Sequence, residues 1–272
     1  FTRIDATTWS VPVKIVANDG AGGDFGFSVA LSADGNTALV GAYRKNSDTG
    51  AAYIFTRIDA TTWSVPVKIV ANDGAGSDFF GVSVALSADG NTALVGAYGE
   101  SSNTGAAYIF TRNGATWSEQ AKIVASDPAG NDYFGWSVAL SANGNTALVG
   151  AHRKNSITGA AYIFTRNNGI WSEQAKIVAS DGAGNDQFGV SVALSVNGNT
   201  ALVGAYGDGS FTGAAYIFTR NGETWSEQAK IVASDGAVDD FFGQSVALSA
   251  DGNTALVGAR GEPSNTGAAY IF

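Results

Sequence analysis

The sequence contains no cysteine, no methionine, four prolines and a single histidine. Without cysteine the chain can form neither a disulfide nor a thiolate metal site. One histidine leaves no second imidazole to complete a transition-metal site. Charged residues make up 14% of the chain and hydrophobic residues 45%. This composition is too apolar for disorder, while 36 glycines and scattered polar residues interrupt every apolar run before it could span a membrane. We therefore expect a folded, soluble chain with no membrane span.

Basic residues are also scarce, and the formal net charge is −9 with a sequence pI of about 4.5. An acidic surface repels phosphate backbones, and no basic stripe is present. We therefore predict that the chain does not bind nucleic acid. The chain begins at Phe1 without a charged segment followed by an apolar one, so it carries no signal peptide pattern. We interpret it as a piece of a longer chain or as an engineered protein.

The chain contains five tandem copies of one sequence motif. Its starts fall at Phe1, Phe55, Phe110, Phe164 and Phe218, and a sixth start is just reached at Phe272. A period of 54 or 55 residues indicates a propeller, a solenoid or a tandem array. A unit of this size cannot bury a core alone. We therefore predict a single domain over residues 1–272 made of repeats at residues 1–54, 55–109, 110–163, 164–217 and 218–272.

The third repeat shows the pattern of each unit. Phe134 to Ser141 and Thr146 to Ala151 read as two strands, because apolar residues recur at every second position and Asn143-Gly144-Asn145 between them favours a tight turn. Gly159 to Arg166 and Trp171 to Ala179 read as a third and a fourth strand. Four antiparallel strands per repeat are typical of a propeller blade, whereas the rungs of the rival β-solenoid are usually shorter.

The predicted fold is therefore all-β: a five-bladed β-propeller of four-stranded antiparallel blades. The first strand of each blade, rich in Ser and Ala, would line the axis, and the fourth would form the outer edge. Lysines on the fourth strand would discourage pairing between edges; they are Lys14, Lys68, Lys122, Lys176 and Lys230. Thr8 to Ala17 form a fourth strand without a blade, while Phe242 to Phe272 supply three strands without a fourth. We predict that the N-terminal strand completes the last blade and closes the ring, the alternative being an arbitrary piece of a longer array.

The compound motif D-G-A-x-x-D-x-F-G-x-S-V-A, followed by V-G-A, G-A-A-Y-I-F and T-W-x-x-x-A-K, resembles the FG-GAP repeat of integrin-type β-propellers in its bacterial variant. The resemblance covers all five repeats. It implies a propeller in an extracellular or cell-surface setting, and it does not imply an enzyme. The usual calcium loop between the first two strands is reduced to one carboxylate at Asp34, Asp89 and Asp251, and to none at Asn143 and Asn197. Calcium takes six to eight oxygen ligands, so that site is not carried over.

Paired aspartates recur in the loop between the fourth strand and the next first strand. Their carboxylates could hold calcium, or they could cap tight turns by accepting hydrogen bonds from backbone N–H groups. We favour turn capping and predict no cofactor, with calcium as the ion that such a site would hold. The residues are Asp19, Asp24, Asp73, Asp78, Asp127, Asp132, Asp181, Asp186, Asp235 and Asp240.

The loop between the second and third strands differs from repeat to repeat and carries the irregular basic residues. In an up-and-down blade this loop and the Asp-rich loop emerge at the same end, so we predict a ligand-binding face there. Trp136 is expected near the mouth of the central channel, and His152 is expected to be solvated. The Trp residues that open the fourth strands, Trp9, Trp63, Trp117, Trp171 and Trp225, are expected to pack between blades rather than to stack on sugars. The candidate ligand-binding residues are Arg44, Lys45, Arg153, Lys154, Arg260 and Trp136.

No catalytic constellation is visible, because most candidate residues occur in every repeat and a glycosidase needs one pair of carboxylates in different environments. We predict a non-enzymatic extracellular or cell-surface module for adhesion or protein interaction that binds a protein or glycan on one face. The alternatives are a lectin-like ring with one weak glycan site per blade, and a purely structural part of a surface assembly or an engineered repeat scaffold.

Overall fold

The computed structural model describes residues 10–20, 22–261 and 266–272. It contains five antiparallel sheets arranged around a common axis. Four sheets have four strands, and the last has three strands in the described part of the chain. Neighbouring strands in each sheet are neighbours in sequence, so every blade is an up-and-down sheet. The predicted all-β, five-bladed propeller is confirmed.

The strands follow the repeat closely. In chain order they are β1 (Val29–Leu31), β2 (Thr37–Ala42), β3 (Ala51–Thr56), β4 (Val67–Ile69), β5 (Val84–Leu86), β6 (Thr92–Ala97), β7 (Ala106–Asn113), β8 (Thr116–Ile123), β9 (Ser137–Leu140), β10 (Thr146–Ala151), β11 (Ala160–Asn167), β12 (Ile170–Ile177), β13 (Ser191–Leu194), β14 (Thr200–Ala205), β15 (Ala214–Asn221), β16 (Thr224–Ile231), β17 (Phe242–Leu248), β18 (Ala255–Ala259) and β19 (Ala268–Ile271). The four strands predicted for the third repeat correspond to β9 to β12. The first of these is shorter than predicted because Phe134 to Trp136 belong to the preceding loop.

Short helical turns connect the second and third strands of the first four blades. They are α1 (Lys45–Asp48), α2 (Glu100–Asn103), α3 (Lys154–Ile157) and α4 (Asp208–Phe211). Each contains residues in the left-handed region, such as Asn46 at φ 52° and Ser47 at φ 56°. These elements are therefore tight turns of the loop that the sequence predicted, and no core is built on them.

The first strands of successive blades lie next to one another at the axis. The backbone N–H of Ala88 donates to the carbonyl of Ala142 at 2.9 Å, and the Ser83 hydroxyl donates to the carbonyl of Gly135 at 2.8 Å. The same pair of contacts recurs at the other three interfaces between consecutive blades. A Cβ on Gly96 would lie 1.9 Å from the Gly135 carbonyl oxygen, so glycine is required for the blades to approach this closely.

The core lies between the blades. Buried tyrosines of the third strands meet phenylalanines of the F-G motif edge to face, as for Phe80 and Tyr108 at a centroid distance of 5.5 Å. Trp117, Trp171 and Trp225 each pack against the cluster at one blade interface, as predicted, whereas Trp63 packs against the core of the first blade. Trp9 lies outside the described residues.

No strand pairing joins the described residues at the two ends of the chain. Residues 10–17 contain no strand, and Ile15 and Ala17 pack against the core of the first blade. The described part of the fifth blade ends at β19, which pairs with β18 alone. Of the predicted N-terminal strand, residues 10–17 form no strand with the last blade, and residues 8 and 9 lie outside the described part. Ring closure stays a prediction.

Candidate functional site

Two sets of loops meet at one end of the propeller. The loop that enters each blade packs on the turn of the preceding blade: Phe79 N donates to Asp48 O at 2.8 Å and Tyr133 N donates to Asn103 O at 3.0 Å. The shared end predicted from the sequence is thus observed. We call this end the loop face and define it by the described residues of the loops 18–28, 70–83, 124–136, 178–190 and 232–241 and of the turns 43–50, 98–105, 152–159, 206–213 and 260–261.

In the last four D-G-A-x-x-D loops, the second aspartate caps the turn that contains it. A carboxylate oxygen of Asp78 accepts from Ala75 N at 2.6 Å, and Asp132 accepts from Ala129 N at 2.7 Å. Asp186 and Asp240 make the equivalent contact in the next two loops. Burial raises the pKa of Asp78 and of Asp186. These contacts are the backbone hydrogen bonds that turn capping requires.

The first aspartate of each loop ties the loop to the blade that it enters. Tyr108 donates its hydroxyl proton to Asp73 at 2.9 Å, and the Lys122 ammonium donates to the same carboxylate at 2.7 Å. We call such an arrangement an aspartate clip; the others are Asp19 with Tyr53 and Lys68, Asp127 with Tyr162 and Lys176, Asp181 with Tyr216 and Lys230, and Asp235 with Tyr270.

Electrostatics of the clips favour the ionised carboxylates. Hydrogen bonds from Lys122 lower the pKa of Asp73. Burial raises the pKa of Asp127, but hydrogen bonds from Lys176 and Tyr162 outweigh it and bring that pKa to about 2. In the described part of the chain, no group of three or more acidic or histidine side chains is placed to hold a metal ion. The expectation that these loops do not depend on calcium stays a prediction.

Asp24 does not occupy the position that the sequence pattern assigned to it. The first loop is one residue shorter than the others, and Asp24 at φ 53° takes the place of Phe79 at φ 58°. Phe27 N donates to Asp24 O as Val82 N donates to Phe79 O. Asp24 therefore caps no turn of the Asp78 kind; its carboxylate lies 3.7 Å from Nε of Arg44.

The two candidate lysines are buried beneath the loop face. The side chain of Lys45 is 8% exposed, and its ammonium donates to the carbonyl of Gly20 at 2.9 Å. The side chain of Lys154 is 5% exposed and pairs with Asp132 at 2.8 Å. Sequence alone suggested surface charges here. The structure instead uses the two ammonium groups to hold the loops together, which leaves them almost no surface for a ligand.

The three candidate arginines are exposed and lie over aromatic rings. The guanidinium carbon is 5.2 Å from the ring centre of Tyr43 for Arg44, 4.5 Å from that of Tyr133 for Arg153, and 4.5 Å from that of Phe241 for Arg260. Stacking on a ring orients a guanidinium while leaving its N–H groups open to an anion.

Half-buried and exposed rings run across the loop face from the first blade to the third. Their centres are 4.5 Å apart for Phe27 and Tyr43, 6.0 Å for Tyr43 and Phe79, and 4.7 Å for Phe79 and Tyr98. Tyr98 then lies 5.0 Å from Tyr133 and 5.1 Å from Trp136. We call this set the aromatic arc: Phe27, Tyr43, Phe79, Tyr98, Tyr133 and Trp136.

Sequence reasoning found only Trp136 of the arc. The signal for most of the others was present, because an aromatic residue often precedes the F-G motif or follows V-G-A. A smaller group of rings, Tyr206, Phe211 and Phe241, continues the pattern in the fourth and fifth blades.

His152 is buried, and the expectation that it is solvated is wrong. It is 5% exposed, and its ring centre lies 4.9 Å from that of Trp136 and 5.6 Å from that of Tyr133. The two large neighbouring rings cover the imidazole. Burial, together with the nearby Arg153 charge, lowers the pKa of His152 to about 3, so the ring is neutral at pH 7. Its Nδ1 atom has no hydrogen-bond partner.

With this geometry in place, the comparisons with known proteins assign the family. The chain matches the FG-GAP repeat over residues 9–55, 63–110, 117–164, 171–218 and 225–272, and it belongs to that family. A search of curated proteins finds no match. In the described part of the chain, no helix is both long and apolar enough to cross a bilayer.

Two solved structures share the fold. Hydrazine synthase from Kuenenia stuttgartiensis matches 90% of this chain with a TM-score of 0.56 and 15% identity. TolB from Acinetobacter baumannii also matches 90% of it, with a TM-score of 0.53 and 15% identity. The chain spans 59% and 51% of the lengths of those two chains. At this identity the likeness concerns the propeller architecture alone.

Proposed function

We propose that this propeller is a non-enzymatic adhesion or interaction module of an extracellular or cell-surface protein, and that it holds a macromolecular ligand on the loop face. FG-GAP family membership supports the setting. The observation that carries the proposal is the aromatic arc together with exposed Arg44 and Arg153. Aromatic rings and arginine are the side chains most enriched where proteins bind ligands.

The arc is continuous but differs in each blade, which favours one extended ligand over five equal sites. The residue before the F-G motif is Phe79, Tyr133, Gln187 or Phe241 in the last four blades, and the first loop carries Asp24 there. A lectin with one identical site per blade needs the same side chains in every blade. The loop face instead presents a single composite surface.

The chemistry of the described residues supports binding rather than catalysis. The aspartates of the entering loops cap turns or form clips, so their carboxylates are already engaged. The neutral imidazole of His152 contacts aromatic rings, and no hydrogen bond joins it to a serine or carboxylate of the described chain. A general base needs a partner group within hydrogen-bond reach.

The test uses substitutions that the chain itself tolerates in other blades. Phe79→Gln introduces the residue of the fourth blade at that position, and Trp136→Val introduces the residue found at Val82 and Val190. The double variant would be applied, beside the wild type, to panels of immobilised glycans and of immobilised purified extracellular proteins.

A control variant, Glu223→Ala, changes the exposed turn at the opposite end of the fourth blade. We expect binding to at least one panel member by the wild type and the control, and loss of at least tenfold in affinity in the double variant. Binding that survives the double variant, or no binding to any member of either panel, would contradict the proposal and favour a purely structural role.

A further inference from the structure

The third blade differs from the others by a compact cluster on the loop face. The rings of Tyr98, Tyr133, Trp136 and His152 form one connected set, and the Arg153 guanidinium lies over the Tyr133 ring. We call this set the third-blade cluster. It is the only place in the sequence where a tryptophan follows the F-G motif and a histidine follows V-G-A.

Arg153 presents an available positive charge. In the described part of the chain, no carboxylate forms an ion pair with it; its hydrogen-bond partner is the Tyr133 hydroxyl at 3.4 Å. The nearby Asp132 pairs with Lys154 instead. In the first blade, by contrast, Arg44 lies beside Asp24, which occupies the position that Tyr133 takes in the third blade. An anion therefore finds a less neutralised partner at Arg153 than at Arg44.

The cluster also contains an unsatisfied polar atom. Among the described residues, Nδ1 of His152 has no hydrogen-bond partner, whereas buried polar atoms normally have one. The imidazole is 5% exposed and is packed against Trp136 and Tyr133, so His152 supports these two rings rather than contacting a ligand itself.

The backbone around the cluster is not free to pair with a peptide strand. Tyr133 N donates to Asn103 O, Trp136 N donates to Tyr133 O, and Arg153 N donates to Asp132 O. Peptides that bind as an added strand need an open row of backbone donors and acceptors. The cluster offers instead the faces of aromatic rings and an exposed guanidinium.

We infer that the third-blade cluster binds a pyranose ring that carries a carboxylate, as in the uronic acid units of an acidic glycan. Trp136 would stack on the C–H face of the sugar, and Arg153 would bind the carboxylate through two parallel N–H groups. This inference rests on the proposed function and names the ligand class of the same face. The net charge of −9 opposes an anionic ligand at long range. At physiological ionic strength that repulsion is screened beyond about 8 Å. Whether the anionic ligand binds is therefore determined by its contacts within the site.

The experiment measures binding of three probes by calorimetry at 150 mM salt, roughly physiological. The probes are a hexamer of galacturonic acid, the same hexamer with its carboxylates methyl-esterified, and a poly-glutamate peptide of the same charge. The variants are Trp136→Val, Arg153→Gln and, as a control at the end of the second blade opposite the loop face, Arg112→Gln.

We expect the wild type to bind the uronate hexamer and to bind its ester and the peptide at least tenfold more weakly. Trp136→Val and Arg153→Gln should each weaken uronate binding at least tenfold, while Arg112→Gln changes it less than twofold. Absence of uronate binding, or equal binding of the peptide with no effect of Trp136→Val, would overturn the inference. If the uronate fails but a protein on the interaction panel still binds and depends on Phe79 and Trp136, the proposed function stands and only this ligand class is rejected.

Discussion

Aromatic residues are buried and repeated at the blade interfaces, whereas on the loop face they are partly exposed and differ between blades. Tyr108 in the interface is fully buried, and the same contact with a phenylalanine recurs in each blade at 5.4 to 5.5 Å. Tyr98 on the loop face is half-buried, and its counterparts are Tyr43, His152, Tyr206 and Arg260. Repetition therefore marks the scaffold, whereas departure from repetition marks the surface on which recognition is proposed.

The largest expected effect is a difference in the free energy of unfolding between alanine variants of these two tyrosines. Tyr108→Ala should lower the free energy of unfolding by about 3–5 kcal/mol, because it leaves a large cavity between two blades and removes the hydroxyl that Asp73 accepts from. Tyr98→Ala should lower it by about 1 kcal/mol or less, since the ring is partly solvated. Chemical denaturation monitored by Trp fluorescence measures both values. Equal losses would show that the loop face is part of the core and would break the comparison.

A smaller effect should appear on acidification, through the aspartate clips. The folded pKa of Asp127 lies at about 2, below the unfolded value of 3.8. A group with a depressed folded pKa contributes stability that is fully present above the unfolded pKa and is lost as pH falls through the folded one. Because the Asp127 side chain is 47% exposed, solvent screening reduces this contribution to about 1 kcal/mol or less.

Asp127→Asn should therefore reduce the loss of stability between about pH 4 and pH 2, relative to wild type. Asp48→Asn is the matched control, because Asp48 lies in a turn of the loop face and belongs to no clip. Unfolding free energies measured at several pH values give the two slopes. A slope unchanged by Asp127→Asn and altered by Asp48→Asn would show that the clips do not contribute to stability.

No effect is expected from calcium. If the D-G-A-x-x-D loops only cap turns and form clips, millimolar calcium or a chelator leaves Tm unchanged. A bound ion would instead stabilise the fold by about 2.7 kcal/mol per site at a hundredfold excess over Kd. The loop of the third blade, where Pro128 replaces the glycine of Gly74, suits a turn because proline donates no N–H. A fall in Tm on adding a chelator would contradict the assignment of these aspartates to turns and clips.

The framework could be predicted from the sequence because its signals are local. Alternation in Thr146 to Ala151 and the Asn143-Gly144-Asn145 turn fix strands and their connections within a few residues. Repetition then places the same signals in every blade. The packing of Trp117 between blades followed from its position on the fourth strand.

The details of the loop face depend on contacts between residues far apart in sequence, and these could not be read from spacing. Burial of Lys154 depends on Asp132, and burial of His152 depends on Trp136 and Tyr133, all in another loop. Asp24 is displaced because the first loop lacks one residue. The D-G-A-x-x-D motif is intact in the sequence, but the backbone places Asp24 where the second loop has Phe79.

The central claim is that recognition on the loop face is separable from the stability of the blades. The most direct measurement determines, on one preparation of the Phe79→Gln, Trp136→Val double variant, both the free energy of unfolding and the affinity for the ligand that the wild type binds. We predict an unfolding free energy within about 1 kcal/mol of wild type, because both substitutions place residues native to sister blades at half-buried sites, together with at least a tenfold loss of affinity. A stable double variant that binds as the wild type does would contradict the account.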